Sequence, residues 1–308
     1  MNLFLKKITT LFPSFCLFAI IMFPFFLKEK FKITKISNQR KIKLFNPNRM
    51  KNNLEKPFFI LGSGLSLNNL NKEEKIFIEN STSVGINLNF LSGINPNYLA
   101  WEQSDNFDML DLYLKIFNKK KVNSFPKLII NDGFLKETKN LNKLNKYFND
   151  ISLYTIARIP VLNKKKLKKI YDYIYHPLTL KLLGDGMIYG MHSTVDRMMH
   201  LAITCGFKEI VFVGIDLNNS KNFWEELKLN NYIKKKLKSI SSENFNQIHK
   251  VEGNITEKKI KKIPLSKIIQ TNHQYFLKRN IKFYTTSKKS KLFQFLPLFQ
   301  FPKKNERN

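Results

Sequence analysis

The chain has 308 residues, 43% of them hydrophobic, and a formal net charge of +30. This length accommodates one large α/β domain, alone or with a lid and an anchor. The lysines are scattered through sequence rich in Asn, Ile and Phe, and no zinc-finger, helix-turn-helix or RRM pattern accompanies them. We therefore expect no nucleic-acid partner. The basic surface either faces anionic lipid or an anionic substrate, or is simply solvated.

The first element is an apolar segment at residues 11–27 with lysines on both sides. Its length of about 17 residues is the lower limit for a membrane-spanning helix. No small-residue cleavage site follows it, so we interpret residues 1–30 as an uncleaved hydrophobic membrane anchor that either spans or embeds in one leaflet. A packed core helix is the alternative. The larger cationic excess follows the segment, which predicts attachment to the inner (cytoplasmic) membrane with the body of the protein in the cytoplasm.

The cysteines, Cys16 and Cys205, are too few for a disulfide framework, and this also favours a reducing compartment. Residues 31–55 are polar and basic, and we interpret them as a linker. The predicted globular domain covers residues 56–301, and residues 302–308 form a charged tail.

The domain opens with an apolar strand at residues 58–61 that ends in Gly62-Ser63-Gly64 and continues as Leu65-Ser66-Leu67. A tight turn of this kind places backbone N–H groups at the start of a helix, where phosphate binds well. However, Gly-x-Gly without a third glycine also occurs in turns that bind nothing. The motif therefore needs support from the rest of the chain.

Short apolar strands then alternate with helical patterns, which predicts an α/β fold: a Rossmann-like parallel sheet with helices on both faces. Three of these strands end in polar residues. In open α/β sheets, ligands bind beyond the carboxyl ends of the strands. A binding site is therefore expected at this edge of the sheet, and its candidate residues are Ser63, Asn87, Glu102 and Gln103.

A second α/β unit begins at Ser193-Thr194, either of which is a suitable N-cap for a helix that ends at Gly206. A buried strand follows and ends in Gly-Ile-Asp at Asp216. Residues 217–255 lack strand periodicity and directly follow that strand, so we interpret them as a lid over the site. A last helix and strand precede the aromatic segment 292–301, which we expect to pack on the sheet, with membrane contact as the alternative.

Together these motifs resemble the bacterial lipooligosaccharide sialyltransferases of glycosyltransferase family 42. The family's first strand leads into Gly-Asn-Gly-Pro-Ser-Leu, matched here by residues 62–67, and a later strand ends in Asn, matched by Asn87. The family's helix start at Thr-Ser corresponds to Ser193-Thr194. Its Gly-Tyr-Lys-Glu-Ile and Gly-Ile-Asp segments correspond to residues 206–210 and 214–216. The order and spacing agree over most of residues 57–300.

The resemblance implies a single Rossmann-like domain that uses CMP-sialic acid without a metal. It implies a general base in the lid, for which His249 is the nearest candidate, and it places Trp224 and Asp216 in the lid and phosphate region. As an alternative, His192, beside the helix N-cap, faces phosphate. Ser63 replaces a family Asn, Leu65 replaces Pro, and Trp224 stands at a tyrosine position. The implied nucleotide-binding residues are Gly62, Ser63, Gly64, Ser66, Asn87, Glu102, Gln103, Ser193 and Thr194.

The leading hypothesis is a metal-independent glycosyltransferase that moves a sugar, sialic acid as the first guess, to a cell-surface glycolipid or oligosaccharide. The chain has neither an Asp-x-Asp motif nor a Cys/His cluster, so no metal ligands and no cofactor are predicted. Two alternatives stay open: a diphosphokinase-like enzyme that uses Mg²⁺–ATP, and a non-catalytic membrane-associated α/β protein. Assembly into a homo-oligomer is compatible with the sequence.

Overall fold

The computed structural model describes residues 13–101, 114, 126–133, 138–159, 170–176, 179–180, 184–191, 193–218, 222–228, 231, 235 and 263–302. Within these residues the longer helices are α1 (Pro13–Arg40), α2 (Lys72–Glu79), α3 (Thr138–Asn145), α4 (Thr194–Cys205) and α5 (Leu265–Phe276). The strands are β1 (Lys43–Leu44), β2 (Phe58–Leu61), β3 (Thr82–Ile86), β4 (Tyr98–Trp101), β5 (Lys127–Asn131), β6 (Ile151–Arg158), β7 (Met187–Gly190), β8 (Glu209–Val213) and β9 (Lys282–Thr285).

All of these strands pair in parallel, in the order β1-β6-β5-β4-β3-β2-β8-β9. Strand β7 pairs with the second half of β6, while β1 pairs with its first half, so the two short strands share one edge of β6. The predicted Rossmann-like parallel sheet is therefore confirmed.

The position of β2 decides where a ligand would bind. Strand β2 pairs with β3 on one side and with β8 on the other, so the chain leaves β2 in one direction and later returns on the opposite side. Ligands of open parallel sheets bind at such a switch point, outside the carboxyl ends of the strands. The glycine turn at residues 62–64 and the Gly-Ile-Asp segment at residues 214–216 both follow strands at this point.

The side chains of β2 alternate between two apolar layers. Phe58 and Ile60 pack into a cluster with residues of α4 and α5, whereas Phe59 and Leu61 face a second cluster that includes Ile78 of α2. Helices therefore cover both faces, as predicted. The carboxyl-terminal aromatic segment packs on the second face, where the ring of Phe299 lies 5.5 Å from that of Phe59, edge to face.

The amino-terminal region differs from its prediction as a linker. Helix α1 continues to Arg40, β1 pairs with β6, and a 3-10 helix covers Pro47–Asn53. The side chains of Ile33, Phe45 and Met50 are at most 2% exposed. The prediction failed because these apolar residues are interspersed among lysines and asparagines, so the average composition hides a face that is buried on folding. Within the described residues, no helix combines the length and the apolar character needed to cross a membrane.

Candidate functional site

The glycine turn and the end of β8 approach each other closely. The backbone N–H of Gly62 donates to Val213 O at 2.8 Å, and that of Gly64 donates to Gly214 O at 2.7 Å. A Cβ atom at position 62 would lie 2.5 Å from Gly214 O, and one at position 64 would lie 2.5 Å from Asp216 Oδ2. Both positions therefore need glycine for the close approach of two backbones, rather than for an unusual φ angle.

The predicted phosphate-binding turn is held by a carboxylate. The backbone N–H of Ser66 donates to Asp216 Oδ2 at 2.9 Å, and the Ser66 hydroxyl donates to Asp216 Oδ1. Both residues are buried, with 7% and 5% of their surface exposed. The helix that follows is a five-residue 3-10 helix, Leu65–Asn69.

This arrangement changes what the turn can bind. The Asp216 carboxylate occupies the place where a free helix N-terminus would attract phosphate. A phosphate directly beside Ser66 would meet a negative charge, so the described contacts give Ser66 and Asp216 a structural role at the edge of the site. Ser63 and Gly64, before Ser66 in the turn, are half-buried.

Asn87 follows β3 at the same edge of the sheet. Its φ angle is +51°, in the left-handed region that Asn tolerates better than most residues, and its carbonyl accepts a hydrogen bond from Trp101 Nε1 at 3.2 Å. The side chain is half-buried. The structure therefore places the predicted Asn87 at the strand end, with a fixed backbone.

Asn89 is a site residue that the sequence reasoning missed. Its Nδ2 group donates to Gly62 O at 3.0 Å, and its side chain is fully buried. It therefore connects the end of β3 to the glycine turn across the sheet edge. A second asparagine two residues after Asn87, just beyond an apolar strand, is the sequence feature that could have indicated this residue.

The first part of the predicted lid lies directly on the glycine turn. The backbone N–H of Phe223 donates to Ser63 O at 3.0 Å, and Gly64 pairs with Asn222 in an antiparallel bridge. The side-chain amide of Asn68 reinforces the contact by donating to Phe223 O at 3.1 Å. Trp224 is 9% exposed and packs edge to face against Phe223, so its indole belongs mainly to the core.

The start of α4 forms the second part of the site. Ser193 is the N-cap, because its Oγ accepts the backbone N–H of Asp196 at 3.1 Å, and Gly206 ends the helix with a φ angle of +97°. Thr194 is buried. Since Gly206 leads into the amino end of β8, α4 runs antiparallel to the strands. Its first turn therefore points toward the same carboxyl edge as the glycine turn.

A buried set of polar side chains supports the turn between β7 and α4. The Asp196 carboxylate accepts the backbone N–H of Met191, and its Oδ1 lies 3.3 Å from His200 Nε2. The other ring nitrogen of His200, Nδ1, shares a hydrogen bond with the Tyr175 hydroxyl. The side chains of Asp196 and His200 are fully buried. Polar groups in such positions are costly unless they are paired, so the hydrogen bond between Met191 and Asp196 fixes the geometry of the turn.

Arg197 follows Asp196 on the same buried side of α4. Burial lowers the pKa of its guanidinium to about 10. Its side chain lies against Gly190, where an added Cβ would clash with it. The arginine was missed in the sequence because it stands among the apolar residues of a core-facing helix, but its side chain packs on the last residue of β7.

Four predicted site residues, Glu102, Gln103, His192 and His249, lie outside the described residues, and their assignments stay predictions. Within the described part of the chain, no three His, Cys, Asp or Glu side chains come together in a way that could hold a metal ion.

Comparison with known proteins found matches among solved structures. The chain is similar to the sialyltransferase CstII from Campylobacter jejuni in complex with the substrate analogue CMP-3FNeuAc, with 17% identity, 79% of this chain and 86% of that chain covered, and a TM-score of 0.43. The structure of CstII with cytidine-5'-monophosphate matches at 16% identity, with 79% and 84% covered and a TM-score of 0.43. The monofunctional alpha-2,3-sialyltransferase Cst-I from the same organism matches at 14% identity, with 79% and 80% covered and a TM-score of 0.41.

These solved structures are sialyltransferases. They belong to the class of enzyme that the sequence motifs resemble. No protein-family model matches the chain, and neither does any curated protein.

Proposed function

We propose that this protein is a glycosyltransferase that takes a nucleotide-activated sugar and transfers the sugar to a cell-surface glycolipid or oligosaccharide. CMP-sialic acid is the first candidate donor. The observation that carries the proposal is the convergence of three segments at the switch point of the sheet: the glycine turn, the end of β8 and the start of the lid. The contacts of Gly64 with Gly214 and Asn222 join all three.

The nucleotide is proposed to lie over the carboxyl edge beside Ser63, Gly64 and Asn87. The hydroxyl of the half-buried Ser63 and the amide of Asn87 supply hydrogen-bond donors and acceptors there. Because Asp216 carries a negative charge beside Ser66, we place the ribose or base at this turn and the phosphate away from it. The resemblance of the sequence motifs to the sialyltransferases makes a cytidine nucleotide the first ligand to test.

The start of α4 is proposed to receive the negative groups of the donor. The N-terminus of a helix carries a partial positive charge, and the neighbouring Arg197 adds a cation that offsets the Asp196 carboxylate in the first turn. Positive groups in this place would stabilise the negative charge that develops on the leaving phosphate when the glycosidic bond breaks. The acceptor hydroxyl must lose a proton in the same step, and His249 keeps its predicted role as the base that takes it.

Independence from metal is part of the proposal and rests on the missing Asp-x-Asp motif. In its place, the helix start and Arg197 would balance the phosphate charge. Transfer should then proceed unchanged in EDTA, whereas a diphosphokinase-like enzyme that uses Mg²⁺–ATP would stop.

The decisive experiment is calorimetric titration of the full chain with CMP, UDP and ATP, followed by transfer assays with CMP-sialic acid. We expect binding of CMP, weakened at least about ten-fold in Gly64→Val, whose side chain would collide with Asp216. A folded wild-type chain that binds none of these nucleotides would refute the proposal. Tight binding of Mg²⁺–ATP without CMP would instead favour the diphosphokinase-like alternative.

A further inference from the structure

Helix α1 has an outer face that combines aromatic and basic side chains. Phe31 is 73% exposed, the largest exposure among the bulky apolar side chains that the structure describes, and Phe25 is 39% exposed. Lys28 and Lys35 are exposed on the same side, as is Lys32, which also pairs with Asp132 at 2.7 Å. These positions follow one another at helical spacing within about a third of the circumference. We call them the outer face of α1.

The opposite face of the same helix is fixed to the body of the protein. Phe26 is fully buried, and its ring lies 5.9 Å from that of Tyr189 in β7. Ile33, two turns further on, is also fully buried. Because the inner face is held by these contacts, the outer face cannot rotate inward to bury Phe31.

The direction of α1 relates the outer face to the candidate site. Phe26 packs near the carboxyl end of the sheet on Tyr189, Glu29 Oε2 accepts a hydrogen bond from the Thr155 hydroxyl at 3.4 Å, and the helix ends at Arg40 just before β1. The helix therefore runs antiparallel to β6. Residues 13–25 continue for about 20 Å past Phe26, on the side of the carboxyl edge. Their sequence contains no charged residue.

We propose that the outer face of α1 binds the surface of an anionic lipid bilayer. The exposed phenylalanine rings would enter the boundary between headgroups and acyl chains, while Lys28 and Lys35 would pair with lipid phosphates. Because α1 runs antiparallel to β6, this arrangement lays the strands along the bilayer and keeps the candidate site beside the membrane surface. Such an orientation suits a glycolipid acceptor, but the lipid binding itself does not depend on the proposed transfer activity.

The partner is assigned by the chemistry of the face. A nucleic acid would use the lysines but would leave Phe25 and Phe31 in water. An apolar protein groove would cover the phenylalanines but would have to desolvate three lysines. An anionic bilayer accepts both kinds of side chain on this face, since its headgroups carry negative charge and its interior is apolar.

The test is co-sedimentation of the full chain with vesicles of phosphatidylcholine alone and of phosphatidylcholine mixed with phosphatidylglycerol. We expect binding to the anionic vesicles that weakens as salt is added. The double variant Lys28→Gln/Lys35→Gln should bind the anionic vesicles at least about ten-fold more weakly. Phe25→Ser/Phe31→Ser should lose binding to a similar degree, because the two rings no longer insert.

The matched control is Leu277→Ser/Lys278→Gln, which removes an exposed apolar side chain and a lysine that follow α5 at the amino edge of the sheet. It should bind like the wild type. The proposal is overturned if the wild type stays in the supernatant with anionic vesicles, if the control loses as much binding as the α1 variants, or if the α1 variants bind like the wild type. Thermal unfolding of each variant checks that the surface substitutions leave the fold intact.

Discussion

The Asp216 carboxylate accepts hydrogen bonds from both the backbone N–H and the hydroxyl of Ser66. The two residues lie 150 positions apart in the chain. Their contact fixes the glycine turn after β2 against the end of β8, the two strands that flank the switch point of the sheet. The shape of the candidate site therefore depends on one buried, charge-assisted pair.

The two partners of this pair should contribute different amounts to the free energy of unfolding. Ser66→Ala loses one hydrogen bond and should lower the free energy of unfolding by about 1 kcal/mol, whereas Asp216→Ala leaves two buried donors without an acceptor and should lower it by about 3 kcal/mol. Urea unfolding of both single variants and of the double variant measures the coupling, which we expect to be at least about 0.5 kcal/mol. Strictly additive losses would contradict the described contact.

Gly64→Ala should weaken nucleotide binding, whereas the control variant Gly93→Ala should not. At position 64, an added Cβ would lie 2.5 Å from Asp216 Oδ2 and 2.8 Å from Gly214 O, so the turn and β8 must separate. Position 93 has open space but a φ angle of +79°, so alanine there strains only the local backbone, by about 1 kcal/mol. Nucleotide titration should show weaker binding for Gly64→Ala alone, and urea unfolding measures the stability of both variants. Equal binding by both variants would show that the turn does not contact the ligand.

The buried pair of Asp196 and His200 makes a further prediction. His200→Ala removes the buried imidazole that bonds to the Tyr175 hydroxyl and lies beside the Asp196 carboxylate. The cavity and the lost hydrogen bond should together lower the free energy of unfolding by about 3 kcal/mol. Tyr175→Phe removes only the hydroxyl that bonds to His200 and should cost about 1 kcal/mol. Urea unfolding measures both, with His273→Gln as a control, since His273 is only half-buried. A His200 variant as stable as the control would mean that the pair does not hold the turn.

Local sequence patterns predicted the features that neighbouring residues determine. The strand before Gly62, the N-cap at Ser193 and the helix end at Gly206 all follow from short-range rules of turn and cap formation. The parallel sheet followed from the alternation of these units. The switch point between β2 and β8 is a matter of strand order, which depends on long-range pairing that such short-range rules do not specify.

The contacts that close the site could not be predicted in the same way. The bonds from Ser66 to Asp216 and from Asn89 to Gly62 join residues far apart in sequence, and no local pattern encodes them. The interpretation of residues 31–55 as a linker failed for a related reason. A buried face of a few apolar residues, such as Ile33 and Phe45, becomes visible only when the surface that it packs on is known.

The last prediction concerns alkaline pH and Cys205. This cysteine is 1% exposed, its Sγ atom lies 3.4 Å from Pro47 O, and burial raises the pKa of its thiol to about 12. In the unfolded chain the thiol ionises near its ordinary pKa of about 8.5. Between about pH 9 and pH 12 the unfolded state therefore binds fewer protons than the folded state, and stability must fall as the pH rises through this window.

The comparison of wild type with Cys205→Ala isolates this effect. From about pH 8 to about pH 10 the wild type should lose about 1–2 kcal/mol more unfolding free energy than the variant, since a thiol contributes up to about 1.4 kcal/mol per pH unit. The cavity left by alanine lowers stability equally at both pH values and cancels in the difference. Staying at or below about pH 10 limits the contribution of Tyr98, whose pKa is also raised to about 12 by burial. Urea unfolding at the two pH values supplies the measurement, and parallel losses in both proteins would show that Cys205 ionises freely in the folded state.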